Sequence, residues 1–130
     1  MPTMSAAERR DEAREAYNAF LADCPSHQLM ARISDKWTSL IVCALADGPL
    51  RYGELARTVA SISQKMLTQT LRRMQTMTLI ERHRYAEAPP RVEYELTEAG
   101  RDLLIPIYAL GEWADRHGDS VRSAMSDSEE

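Results

Sequence analysis

The chain has 130 residues, 44% of them hydrophobic, and a formal net charge of −4, which suits a single domain with a modest core. No apolar run is long enough to span a membrane and no signal peptide opens the chain, so a cytoplasmic location is the default expectation. Two cysteines (Cys24, Cys43) and three scattered histidines (His27, His83, His117) are too few and too dispersed for a disulfide framework or a metal site, so neither a metal nor a cofactor is expected.

The charge is unevenly divided. Between Arg51 and Arg91 stand eight basic and three acidic residues, a local +5, which leaves −9 on the flanks. A basic middle between acidic ends is a footprint for a polyanion.

In chain order, Ala6 to Leu21 reads as a charged helix of good helix formers with a narrow apolar stripe at Ala13, Ala16, Tyr17, Phe20 and Leu21. Pro25 interrupts the chain and starts a short helix, about Ser26 to Ile33. Asp35 can cap a third helix. Its Trp37, Leu40, Ile41, Ala44 and Leu45 have the i, i+3, i+4 spacing of a buried face, and Cys43 reads as a small core residue. "DGP" at Asp47–Pro49 ends it. "LRYGELARTV" predicts a short helix centred on Leu55, and "ASIS" is a turn.

Ser61 with Gln64, or Ser63 alone, can cap the next helix, "ISQKMLTQTLRRMQTM". At about 100° per residue, Lys65, Gln69, Arg72 and Thr76 fall on one side, with Thr68, Arg73 and Gln75 flanking them. Met66, Leu67, Thr70, Leu71, Met74 and Met77 fall on the other. The first side carries no acid. Its residue types are those that read base edges: Arg and Lys donate to guanine, Gln pairs with adenine, Thr touches a methyl group or a phosphate.

Ile80 to Ala86 and Arg91 to Leu96 are strand candidates joined by "EAPP", a β-hairpin with Arg82, Arg84 and Arg91. Thr97 then starts a last helix with Leu103, Leu104, Ile107, Leu110 and Trp113. Pro106 should kink it or leave a weak first segment. From Ser120 the tail is Ser- and acid-rich and is expected to fray.

Helices followed by a hairpin, with a short helix–turn–longer helix before it, give the winged helix-turn-helix plan, mainly α with a small β-hairpin (α+β). Two arguments weigh against an enzyme: the histidines are isolated and no Gly-rich phosphate loop is present. A winged helix used for protein contacts without specific DNA binding is the alternative reading.

The chain resembles the HxlR-type winged helix-turn-helix transcriptional regulators of bacteria. The marks are Cys24-Pro25, Lys36-Trp37, "GPLRYGEL" from Gly48, "ISQKMLTQTLR" from Ile62 and "PPRVEYELTEAGR" from Pro89. The resemblance implies a homodimer that binds double-stranded DNA, with an N-terminal dimerisation helix (about 5–22), a DNA-binding core with wing (about 24–96), a C-terminal dimerisation helix (about 97–119) and a flexible tail (about 120–130).

The DNA contacts then expected are Arg51, Ser63, Lys65, Thr68, Gln69, Arg72, Arg73, Arg82, Arg84 and Arg91. An inverted-repeat operator follows from twofold symmetry. In some members the cysteine that Cys24 matches senses oxidants or electrophiles, so a small electrophile, oxidant or thiol is an expected partner at Cys24. Pro25 at the first helical position leaves Cys24 at the N-cap, beside free N–H groups. Two departures stand out: Ser34-Asp35 where the family usually has Gly before Lys-Trp, and Thr78 where it usually has Gly. The second predicts a differently built turn into the wing, since a left-handed β-branched residue is costly.

Overall fold

The computed structural model describes residues 3–128. They divide into two compact units, one up to Asp35 and one from Lys36 onward, where a single domain is expected from the sequence.

The first unit holds α1 (Ala6–Asp23) and α2 (Pro25–Ile33). Ser5 and Glu8 close a capping box at the start of α1: the Ser5 Oγ accepts from the Glu8 N–H, and the Glu8 carboxylate accepts from the Ser5 N–H. Cys24 ends α1 and is the N-cap of α2, with Pro25 in the first turn. Gln28 donates to the Ala22 carbonyl across the bend.

The second unit runs α3 (Lys36–Ala44), β1 (Leu50–Arg51), α4 (Tyr52–Thr58), α5 (Gln64–Thr76), β2 (Ile80–Tyr85), β3 (Arg91–Leu96), α6 (Glu98–Asp102) and α7 (Leu104–Ser128). The sheet order is β1-β3-β2, antiparallel throughout. The two-residue β1, too short to carry a period, has no signature in the sequence. The core gathers Ile41, Val42 and Leu45 after and within α3, Leu55 of α4, Leu67, Leu71 and Met74 of α5, and Ile80, Tyr94 and Leu96 of the hairpin. Each large apolar side chain buried there contributes about 1.5–3 kcal/mol.

The buried face of α3 is turned by one residue from the expected one. Thr38, Ile41, Val42 and Leu45 are buried, whereas Leu40 is 42% exposed. Both sets have helical spacing and share positions 41 and 45. The polar Thr38 concealed the true face; its hydroxyl accepts from the Arg73 guanidinium at 3.3 Å.

The turn after α5 is built with the left-handed residue that the sequence argues against. Thr78 has φ 59°. Its N–H donates to the Gln75 carbonyl, and the Leu79 N–H reaches back to the Met74 carbonyl at 2.9 Å. These two bonds are a Schellman motif, normally completed by Gly. Thr97 locks it from the far side. Its Oγ1 donates to the Thr78 carbonyl at 2.6 Å and its N–H to the Leu79 carbonyl at 3.0 Å. Thr97 is also the N-cap of α6, accepting from the Gly100 N–H. Gly100 lies so close that a Cβ there would overlap the Leu79 carbonyl oxygen.

The last helix has the weak first segment that Pro106 predicts: α6 stops at Asp102, and α7 starts at Leu104, with Pro106 in its first turn, where the missing N–H costs little. α7 does not stop at Asp119. It continues to Ser128, through most of the expected flexible tail, of which residues 129–130 lie outside the described ones. Val121 and Met125 there continue a one-face row from Leu110, Trp113 and His117.

Two stability outcomes follow. Thr78→Gly relieves a left-handed cost of about 1–2 kcal/mol and adds unfolded-chain entropy of about 0.5–1 kcal/mol. The urea midpoint should therefore rise by the equivalent of roughly 0.5–1 kcal/mol. Gly100→Ala should lower it by about 2–3 kcal/mol, because backbone must move to admit the methyl group.

Candidate nucleic-acid interface

Ser63 starts α5. Its Oγ accepts from the Met66 N–H at 3.1 Å, so the cap is Ser63 alone, and its hydroxyl is committed to the helix. Ser61 supplies the preceding bend at φ 73°. α4 is tied to α5 by Tyr52: its hydroxyl donates to the Gln64 carbonyl at 3.1 Å and lies 3.1 Å from the Thr68 Oγ1. This fixes the angle of the helix-turn-helix at its open end. Periodicity cannot reveal a bond between positions 52 and 64, so the role of Tyr52 was not legible in the sequence.

The two sides of α5 are as its spacing predicts. Leu67, Thr70, Leu71 and Met74 are buried, while Lys65, Gln69, Arg72 and Thr76 are exposed. The buried Thr70 satisfies its hydroxyl on the Met66 carbonyl. Arg73, on the flank, behaves differently: it is half-buried and reaches inward to Thr38. Position 73 lies next to the buried 70 and 74, and the long side chain follows the core edge rather than the outer surface.

Register sorts the hairpin charges onto two faces. Arg82 is opposite Tyr94 and Arg84 opposite Val92, on the face whose inner end, Ile80 and Leu96, is buried against α5. Glu81 is opposite Glu95, His83 opposite Glu93, and Tyr85 opposite Arg91, on the other face. Arg51 of β1 is opposite Glu93 and joins that second face, beside a hollow shared with Glu54 and Arg57.

The second face pairs its hairpin arginine and carries an excess of acid, with Glu81, Glu93 and Glu95 against Arg91. Arg91 pairs with Glu87 at 3.3 Å and Glu93 at 3.6 Å, and its guanidinium lies 4.2 Å over the Tyr85 ring. His83 Nε2 stands 3.1 Å from Glu95 and 3.5 Å from Glu81, two carboxylates directly opposite each other across the strands. The first face has no such compensation. Among the described residues, Lys65, Arg72, Arg82 and Arg84 have no carboxylate partner. Arg72 and Arg82 face one hollow of about 350 Å³ between α5 and the hairpin, with Gln75 at its edge and Leu71 and Tyr94 among its walls.

The face free of acids thus gathers Lys65, Thr68, Gln69, Arg72, Arg82 and Arg84. Ser63 caps its leading end, and Arg73, Arg91 and Arg51 are turned elsewhere. Gln75 borders it, as its flanking position on α5 predicts, and Tyr52 belongs to its architecture without a signal in the sequence.

Residues 32–122 match the HxlR-like helix-turn-helix family. The chain belongs to this family. A relative from Methanothermobacter thermautotrophicus, described as an uncharacterized HTH-type transcriptional regulator, is 44% identical over 95 residues, 73% of this chain and 72% of that protein. The reduced form of the redox regulator HypR superposes with TM-score 0.70 at 34% identity, covering 76% of this chain and 98% of that one. Its oxidized form gives 0.66. The reduced form of the transcriptional regulator YodB from B. subtilis gives TM-score 0.65 at 35% identity, over 72% of this chain and 92% of that one. The HxlR-like chain is accordingly a helix-turn-helix transcriptional regulator and not an enzyme. Among its described residues no helix is long and apolar enough to cross a membrane.

The division of labour between the adjacent arginines has a direct test. Arg73→Ala should destabilise the fold by about 1–3 kcal/mol, because a buried hydrogen bond to a charged group is lost. Arg72→Ala should leave the urea midpoint within about 0.5 kcal/mol of the parent, as surface substitutions do.

Proposed function

We propose that this regulator binds an inverted-repeat DNA operator as a homodimer, with α5 in the major groove and the hairpin as its wing, and that modification of Cys24 controls the affinity. The observation that carries the DNA reading is the uncompensated basic face of Lys65, Arg72, Arg82 and Arg84, set apart from a hairpin face that holds the acids and pairs its own arginine, Arg91. In this reading Lys65, Gln69 and Arg72 read bases, while Arg82 and Arg84 hold phosphates. A protein-contact module has no need of unpaired cations arranged along a groove-sized helix.

Apolar surface supports the dimer. Phe20 on α1 is 66% exposed and Leu110 on α7 is 67% exposed. On α7, Leu110, Trp113, Val121 and Met125 form a continuous exposed row, where the Trp113 and His117 rings lie 5.3 Å apart. A second copy supplies cover for such rows, and twofold symmetry would set the two α5 helices about one DNA turn apart, roughly 34–36 Å.

Support for the thiol control comes from the redox regulators it resembles and from the setting of Cys24. It stands where α1 ends and α2 begins, beside a hollow lined by Ala19, Phe20 and Pro25. A modified sulfur there changes how α1 meets α2. Cys43 is a poor competitor, since burial pushes its thiol above the ordinary range and lowers its thiolate fraction at neutral pH.

Three measurements check these statements. In gel-shift titrations, affinity should fall steeply with salt. Arg72→Ala should lose about 1–3 kcal/mol and relax specificity at one position, while Arg84→Ala weakens all sequences alike. Unchanged binding by Arg72→Ala would remove α5 from the groove. Sedimentation at micromolar concentration should show a dimer, and Leu110→Asp a monomer confined to a half-site. A mild oxidant or quinone should change the DNA affinity of the parent but not of Cys24→Ser; an equal change in both would exclude Cys24 as the sensor.

A further inference from the structure

We infer that Tyr52 is a positioning residue for base recognition. It holds the hydroxyl proton of Thr68, so that Thr68 meets DNA as a hydrogen-bond acceptor and favours a base with a major-groove amino group over guanine. The inference rests on the proposed placement of α5 in the major groove.

The order of the protons follows from three oxygens. Tyr52 Oη lies 3.1 Å from the Gln64 carbonyl and 3.1 Å from Thr68 Oγ1. A carbonyl only accepts, and a phenol carries one proton. The Tyr52 proton therefore goes to Gln64, and Thr68 supplies the proton between the two hydroxyls. The reverse order would leave the Tyr52 and Gln64 oxygens 3.1 Å apart with no proton between them.

Other threonines of the same unit show what Tyr52 changes. Thr58, Thr70 and Thr76 each donate to the carbonyl four residues back in their own helix. For Thr68 that carbonyl belongs to Gln64, and Tyr52 has taken it. The Thr68 hydroxyl is drawn instead toward α4, to a partner 16 positions back in the chain.

Thr68 is half-buried, and it borders the same open space as Arg72 and Gln75. Its neighbours on the exposed side of α5, Lys65 and Arg72, can only donate. Guanine presents only acceptors in the major groove, N7 and O6, whereas adenine and cytosine each present an amino group. With its proton committed to Tyr52, Thr68 has lone pairs left. These accept from an amino group and are repelled by guanine O6. To donate to guanine, Thr68 must break one bond of the chain through Tyr52 to Gln64. One net hydrogen bond corresponds to roughly three- to tenfold in affinity.

The test lets the full-length protein select a site from random duplex DNA at fixed salt. Each base pair of that site is then replaced in turn. Affinities are measured for the parent, Tyr52→Phe, Thr68→Val and the double variant. At one base pair per bound chain the parent should prefer adenine or cytosine to guanine by roughly three- to tenfold. Tyr52→Phe frees the Thr68 proton and should bring that ratio within about twofold, with the ratios at other base pairs unchanged. Thr68→Val, which keeps the shape and removes the hydroxyl, should flatten the same ratio. Adding Tyr52→Phe to it should then alter no ratio further. A loss of affinity by one common factor for every sequence in Tyr52→Phe would overturn the inference, since Tyr52 would then hold only the helix angle. A change of ratios that Tyr52→Phe still causes in the Thr68→Val background would overturn the route through Thr68. A parent that selects no sequence refutes the operator reading and this inference together. A parent that selects one, while Tyr52→Phe keeps every ratio, refutes this inference alone.

Discussion

Leu79 is the point on which the second unit turns. Its N–H closes the end of α5 on Met74, and its carbonyl takes the Thr97 N–H. The absent side chain of Gly100 lets α6 press against the same carbonyl. One peptide unit therefore joins α5, the end of the hairpin and the start of the C-terminal helices. The left-handed Thr78 is tolerated because this lattice over-determines it: two Schellman bonds and two bonds from Thr97 hold the turn from both sides. A strained residue at such a junction costs stability and keeps the direction in which the hairpin leaves α5.

That direction decides where the charges go. Once β2 and β3 pair in this register, alternation sends Arg82 and Arg84 to the side of α5, and Arg91 with Glu81, Glu93 and Glu95 to the other. A slip of one residue would exchange the sets. The net charge of −4 is thus compatible with a polyanion partner, because the acids that balance the hairpin are segregated on the far face and the flanks. Close range decides, since charges beyond about 10 Å are screened at moderate salt.

The exposed apolar rows of α1 and α7 have a different status. They are not failures of packing within a unit. α7 leaves the core after Ile107, and its row from Leu110 onward has no counterpart in the second unit. The proposed homodimer would give this surface its cover.

The sequence alone determined the class of the protein and the division of α5. Its period places six side chains inward and leaves Lys65, Gln69, Arg72 and Thr76 outside, and no tertiary contact is needed to see it. The hairpin, the broken last helix before Pro106 and the α2 start at Pro25 were equally legible, because each is a local steric or hydrogen-bonding preference. Tertiary structure decided the rest. α3 has two helical faces that fit its spacing, and the packing of Ile41, Val42 and Leu45 buries the one that includes Thr38, whose hydroxyl accepts from Arg73. Arg73 has the composition of a DNA ligand, but Thr38, 35 positions back, draws it inward, and Arg91 is engaged by Glu87, Glu93 and the Tyr85 ring once the hairpin closes. Thr78 takes the left-handed state against its own preference because Thr97, 19 positions on, holds its carbonyl. Local preferences are written in neighbouring residues. Which charges stay free, and which strain is borne, depends on groups that meet only after the chain has folded.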